Sequence, residues 1–344
     1  MIRFDSDYTR GAHERIMQKL METNMTQTSG YGTDTHCQRA HELIQEACMA
    51  PHADVHLLVG GTQTNLTVIA HVLKPYQAVI SAETGHVNTS ETGAIEAAGH
   101  KVLTIPTADG KMTASQVRDM LKSHFEDAGR IHTPQPGLLY LSQSTETGLL
   151  YTLAELKAMR AVCDEFNIPL FIDGARLGYA LASPNNDAKL ADLARLCDVF
   201  YIGGTKQGAL FGEALVITND TIKKDFRYTI KQRGALLAKG RLLGIQFETL
   251  FEDDLYLSIS KNAIQLVSPL KEAFDVAGIK FQYPVTTNQL FPILTKAQFK
   301  KLSEKYALTA WEEKSDTHLV ARICTDWSTH PSHVEELASD IRNL

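Results

Sequence analysis

Seven short apolar runs separated by amphipathic stretches limit what this chain can fold into more than any other feature of its sequence. They are Val55–Val59, Ala78–Ser81, Val102–Ile105, Leu138–Leu141, Leu170–Ile172, Val199–Ile202 and Ala214–Thr218. Most lack in-out alternation, so a strand made from them has no face to offer water and needs helices on both sides. The stretches Thr64–Leu73, Ser90–Ala98, Ala114–Phe125 and Leu153–Phe166 supply candidates. In the last, Leu156, Met159, Val162, Cys163 and Phe166 recur at helical spacing. This strand–helix–strand rhythm predicts an α/β fold with a mostly parallel sheet.

After about residue 220 the texture changes. Phe226–Leu250 reads as one long, partly basic helical region. Beyond it come a long helix pattern, strands at Gln289–Leu294 and His318–Cys324, and a closing helix from Ser332. These predict a small C-terminal α+β domain over residues 248–344, beside a large domain over residues 1–247. No Pro/Gly-rich linker separates them, so tight packing is expected.

Charge and cysteine usage exclude several classes of function. A net charge of −6 argues against nucleic acid as a partner, because phosphate backbones need a basic surface. The five cysteines are scattered and form no CxxC pair. Neither a disulfide framework nor a metal site is therefore expected, and a reducing cytoplasm fits best. The N-terminus is polar, and no stretch is long enough to span a bilayer.

Four motifs at strand ends carry chemistry. Gly60-Gly61-Thr62-Gln63-Thr64-Asn65 follows the first run; glycines there allow close backbone approach, and a helix N-terminus offers N–H groups to a phosphate. A plain helix cap explains such a stretch equally well. It matches neither GxGxxG nor the P-loop, which weakens nicotinamide and nucleotide readings. His86, after the second run, is either a structural histidine or a group lying flat on an aromatic ring; Glu91 follows it. Asp173 ends the fifth run, in Asp173-Gly174-Ala175-Arg176. It is either a cap or a partner for a protonated ring nitrogen. Lys206 ends the sixth run, in Gly203-Gly204-Thr205-Lys206, where burial lowers an amine's pKa and makes it a nucleophile. A phosphate cradle, a ring-stacking group, a carboxylate and an amine form the set that pyridoxal phosphate requires.

With these motifs the chain resembles the low-specificity L-threonine aldolases of the β-eliminating lyase group, within the aspartate-aminotransferase-like fold (fold type I). The likeness runs nearly end to end. It takes in Phe4-Asp5-Ser6-Asp7, Tyr31-Gly32-Thr33-Asp34, Gly61-Thr62-Gln63-Thr64-Asn65, His86 with Glu91, Asp173-Gly174-Ala175-Arg176, Lys206 and Arg322-Ile323-Cys324-Thr325-Asp326. The resemblance implies pyridoxal 5'-phosphate as cofactor, held as a Schiff base by Lys206. It implies that His86 stacks on the ring, Asp173 holds the ring nitrogen protonated, and Gly61, Thr62 and Gln63 bind the phosphate. Arg176 and Arg322 would grip a small amino-acid substrate by its carboxylate, assisted by Ser6 and bordered by Tyr31. A homodimer or homotetramer with shared sites is implied too, with Lys231 and Lys239 as candidates to reach a neighbour's phosphate.

The chain departs from that pattern in three places. Glu146, in Gln143-Ser144-Thr145-Glu146, stands where the family often has a histidine near the substrate hydroxyl. The lysine follows Gly-Gly-Thr rather than the usual serine, and Gly234-Ala235-Leu236-Leu237 replaces an expected glycine-rich stretch. The expected activity is retro-aldol cleavage of a β-hydroxy-α-amino acid to glycine and an aldehyde, with His86, Glu146 or a water as base. The competing readings are elimination of a β-substituent by a lyase of the same fold, and a catalytically silent binding protein.

Overall fold

The seven apolar runs form a single sheet. The computed structural model describes residues 1–344. A two-residue strand, β1 (Ile2–Arg3), precedes β2 (Asp54–Leu58), β3 (Gln77–Ala82), β4 (Val102–Ile105), β5 (Gln135–Ser142), β6 (Leu170–Asp173), β7 (Val199–Gly203) and β8 (Glu213–Ile217). The sheet order is β2-β8-β7-β6-β5-β3-β4. Strands β3 to β7 pair in parallel, whereas β8 runs antiparallel to both β7 and β2.

The absence of alternation in the strands has the expected cause. Leu139, Leu141, Ile172, Phe200, Ile202 and Val216 join one core cluster. Their neighbours Leu138, Tyr140, Phe171, Val199, Tyr201 and Leu215 join another. Successive side chains thus bury against helices on opposite faces.

Helix boundaries follow the caps. Thr113 with Gln116 and Thr152 with Glu155 form reciprocal capping boxes at the predicted starts of Ala114–Glu126 and Leu153–Phe166. Two expectations are corrected. The helix predicted over Ser90–Ala98 is instead two turns, His86–Thr89 and Ala94–Ala97, because Thr92 (φ 53°) and Gly93 (φ 69°) adopt the left-handed conformation between them. The long helix over Phe226–Leu250 is two helices, Phe226–Gln232 and Arg241–Phe251, broken at Gly234 (φ 71°).

The C-terminal part holds β9 (Gln289–Leu290), β10 (Ile293–Thr295), β11 (Tyr306–Ala307), β12 (Thr309–Glu313) and β13 (His318–Cys324). Strand β13 is central and antiparallel to β9, β10 and β12. The single strand predicted over Gln289–Leu294 is divided around Phe291 and Pro292, where proline has no N–H for a ladder. Helices Val267–Val276 and Pro331–Arg342 contribute to this part's core with Phe274, Val334 and Leu337. Strand β1 pairs in parallel with β11, and Phe4 lies in the same core. Leu255, Tyr256 and Ile259 instead join the core of the main sheet. No helix is long and apolar enough to cross a membrane, and all five cysteines are free and buried.

Helices Thr35–Ala47 and Arg241–Phe251 touch backbone to backbone: a Cβ on Gly244 would lie 2.5 Å from the Cys37 nitrogen. Gly244→Ala forces them apart, so chemical denaturation should show a loss of about 1–3 kcal/mol, the usual cost of overpacking.

Candidate active site

The parallel strands release their carboxyl ends on one side of the sheet, where α/β proteins place ligands. A cleft of about 410 Å³ opens there and is lined by Gly61, Thr62, His86, Glu146, Asp173, Arg176 and Lys206. Residues more than a hundred positions apart in sequence thus share one cavity. Other depressions lie away from these groups, including a larger one lined by Arg160, Asp198 and Asp220. The chemistry makes the Lys206 cleft the candidate site.

Asp173 sits at the tip of β6 and is 4% exposed. Its Oδ2 accepts from Tyr140 Oη at 2.6 Å and Asn65 Nδ2 at 3.0 Å. Oδ1 accepts from the Ala175 amide at 2.9 Å and from Tyr201 Oη. Burial alone raises the pKa of such a carboxyl. The two phenols, the nearby His86 charge and Asn65 outweigh it and hold Asp173 below the usual carboxylate range. Burial and Asp173 itself push both phenols well up, so they stay neutral donors. Gly174 permits this turn: a Cβ there would lie 1.8 Å from the Tyr201 carbonyl oxygen.

Asn65 also donates to Glu91 Oε1 at 2.7 Å, and that oxygen lies 2.8 Å from His86 Nδ1. Glu91 thus fixes the imidazole ring. Burial disfavours the imidazolium, but the Glu91 hydrogen bond and the charge of Asp173 win and raise its pKa. Glu146 is tied to the same loop, its Oε1 accepting from the His86 amide at 2.8 Å and Ser142 Oγ at 2.7 Å. Burial raises the Glu146 pKa despite those donors.

The helix Gly61–Val72 begins at Gly60 with no side-chain cap, leaving its first N–H groups free at the cleft wall. Lys206 follows β7 in a turn, and Tyr179 Oη donates to its carbonyl oxygen. Burial and the neighbouring Arg176 lower the amine's pKa, against Asp7, Asp173 and Glu213, which raise it.

Arg176 is already paired. Its Nε and Nη2 donate to Asp7 at 2.6 and 3.1 Å, and Asn288 Nδ2 reaches the same carboxylate at 3.0 Å. Burial would raise the Asp7 pKa, yet Arg176 and Lys206 bring it down to about 2.

Four predicted site residues are not lining this cleft. Gln63 turns back, its Oε1 accepting from the Val59 amide at 3.3 Å. Ser6 and Arg322 line an adjoining depression with Asp5 and Thr309. Tyr8 borders both cavities. Arg322 Nη2 donates to the Asp5 carbonyl oxygen at 2.9 Å, and its guanidinium lies 5.1 Å from the Trp311 ring centre. Tyr31 belongs to a different groove with Cys37 and His41, the Lys231 ammonium lying 4.6 Å from its ring centre. Neither Lys231 nor Lys239 lines the cleft.

Sequence reasoning missed Tyr140, Tyr201, Glu213 and the structural part of Asn65. A signal was present for the tyrosines: a phenol inside a continuous apolar strand needs a polar partner, and both flank the strand that ends in Asp173.

The fold and this set of groups are those of the aspartate-aminotransferase-like fold type I class. A family profile described as beta-eliminating lyase matches residues 4–315, and the chain belongs to that family. It is 33% identical to a low-specificity L-threonine aldolase of Pseudomonas aeruginosa, over 99% of this chain and 97% of that protein. A counterpart from Saccharomyces cerevisiae is 25% identical over 81% of this chain and 72% of its own length. The solved structure of Leishmania major threonine aldolase superposes with a TM-score of 0.97 at 44% identity, covering 100% of this chain and 99% of that one. Aspartate aminotransferase from Thermus thermophilus shares the fold, with a TM-score of 0.73 at 14% identity over 100% and 91% of the two chains.

Asp7→Asn leaves the Arg176 guanidinium buried without its counter-charge and should cost about 3–5 kcal/mol. Because the folded Asp7 pKa is depressed, its contribution is complete above the free carboxyl value of about 3.9 and is lost as pH falls through about 2. Denaturation across that acid range should show a steeper decline for wild type than for the variant.

Proposed function

We propose that this chain is a pyridoxal-phosphate lyase that cleaves the Cα–Cβ bond of a threonine-type β-hydroxy-α-amino acid, giving glycine and an aldehyde. The observation that carries this reading is the ionised, four-donor Asp173 in the same cleft as the Lys206 amine. The residues fit the cofactor at both ends: an uncapped helix N-terminus for its phosphate, a held carboxylate for its ring nitrogen. Bound there, pyridoxal phosphate supplies a ring that accepts the electrons of the broken bond. The threonine aldolases among the relatives point to the substrate class.

Lys206 would hold the cofactor through its aldehyde. Gly61 and Thr62 would hold the phosphate through backbone N–H groups, with Gln63 bracing that turn. Asp173 would keep the ring nitrogen protonated, and His86, locked by Glu91, would lie against the ring. Arg176 faces the substrate carboxylate from a fixed position, because Asp7 occupies only Nε and Nη2. Arg322 and Ser6 approach from the adjoining depression past Tyr8. Glu146 removes the β-hydroxyl proton, its raised pKa bringing it closer to the working pH.

We also read the chain as a homodimer or homotetramer in a reducing cytoplasm. Met17 and Met21, one turn apart on the helix Glu14–Glu22, expose 40% and 75% of their surface, and Met25 just beyond that helix exposes 88%; a second copy would cover these apolar side chains. Tyr31, Lys231 and Lys239, which lie outside their own cleft, would then serve a neighbour's. The large domain over 1–247 and the small one over 248–344 would together carry one site per chain.

Lys206→Ala should abolish covalent cofactor attachment and all cleavage of threonine, allo-threonine and phenylserine; retained cleavage overturns the reading. Product analysis should give glycine and aldehyde, whereas pyruvate and ammonia mark β-elimination instead. Glu146→Gln should lower kcat by roughly 10²–10⁴-fold, the usual worth of a general base. For wild type, kcat/KM should rise with pH as Glu146 ionises, above the ordinary carboxylate range. The variant should lack that acid limb.

A further inference from the structure

We propose that Glu213 is a positioning residue that exchanges a proton with Lys206 across the cleft, so that the pair sets when the amine is free to bond an aldehyde. The inference rests on the assignment of Lys206 made above. Because β8 runs against its neighbours, its first residue lies at the site end of the sheet. Glu213 pairs there with Gly203 on one side and Leu58 on the other, between the Lys206 turn and the Gly60–Thr62 corner.

The hydrogen bonds favour one oxygen for a proton on Glu213. Thr205 Oγ1 accepts from the Gly212 amide at 3.0 Å. Its single proton has two acceptors, Glu213 Oε1 at 2.9 Å and the more distant Gly212 carbonyl oxygen at 3.4 Å. Donation to the nearer Oε1 leaves Oε2 as the oxygen for the acid's own proton. Oε2 is buried and has no partner, in a residue 3% exposed that lines the cleft. A carboxylate this dry needs a facing cation or a proton.

Lys206 is the cation that shares the cleft with it, with no ion pair joining the two within 4.0 Å. The other titratable groups around Glu213 are Asp173, of like charge, and the phenols of Tyr201 and Tyr256, which burial keeps neutral. Burial lifts the Glu213 carboxyl to about 8, while burial and Arg176 bring the Lys206 amine down. The two shifts run toward each other, which suits the pair to sharing one proton. With the flexible side chain swung so that Nζ meets Oε2, the Lys206 ammonium passes its proton to the Glu213 carboxylate, leaving a neutral amine and a neutral acid. Nζ then bonds the carbonyl carbon, and the carbonyl oxygen leaves as water with the amine's two hydrogens. Neutral Glu213 also places no negative charge beside the N–H groups of the Gly61 helix.

The test uses the full chain stripped of cofactor and mixed with pyridoxal 5'-phosphate over a range of pH. Borohydride trapping and peptide mass spectrometry assign attachment to Lys206. Glu213→Gln keeps an acceptor for Thr205 but removes the charge that stabilises the ammonium. The midpoint of attachment should move to lower pH by about 1 unit, within the usual effect of a nearby charge, and Glu213→Asp should restore most of the wild-type midpoint. Superimposable wild-type and Gln profiles overturn the proposal. Absence of label at Lys206 in wild type removes the assignment of Lys206, and this inference with it. Should the Gln variant fail to fold, carbon-13 NMR of the wild-type, cofactor-free chain decides. A Glu213 carboxyl still protonated at neutral pH supports the proposal; one titrating near the free value of about 4.3 overturns it.

Discussion

The site depends on keeping one carboxylate ionised where water cannot reach it. Asp173 does so with donors drawn from separate parts of the chain: Tyr140 on β5, Tyr201 on β7, Asn65 on the helix after β2, and the amide of its own turn. Each neutral phenol or amide contributes a modest net amount, and together they outweigh a desolvation penalty of several kcal/mol per buried ion. The strand order follows this need. β6 lies between β5 and β7, so the carboxylate receives one phenol from each side. Asn65 then passes the constraint outward to Glu91 and on to His86, and the imidazole is oriented by the same network that holds the charge.

The strands were legible because continuous apolar runs in a chain this long leave few alternatives to a covered sheet. His86, Asp173 and Lys206 were legible because charged or titratable residues at the tips of apolar runs are costly unless used. Helix lengths were less readable. The breaks at Gly93 and Gly234 depend on left-handed backbone that periodicity does not report. Glu213 was hidden for a different reason: it starts its strand rather than ending it, and only the reversed direction of β8 brings it to the site. Arg176 was read as a grip for a substrate carboxylate with no partner of its own named, since nothing in its own motif announces Asp7, which lies 169 positions away.

That distant pairing changes how the arginine is to be understood. A guanidinium gripped on two nitrogens by a buried carboxylate is a fixed wall of positive charge, not a mobile arm. Asn288, from the C-terminal part of the chain, holds the same carboxylate. The wall is therefore braced by groups from two distant regions of the sequence.

Phe4 is sunk in the core of the C-terminal part, and three residues later Asp7 is clamped to Arg176 at the cleft. Only two residues, Asp5 and Ser6, separate the buried ring from the clamped carboxylate. The seat of the C-terminal layer and the seat of the guanidinium are thus tied by one short piece of chain.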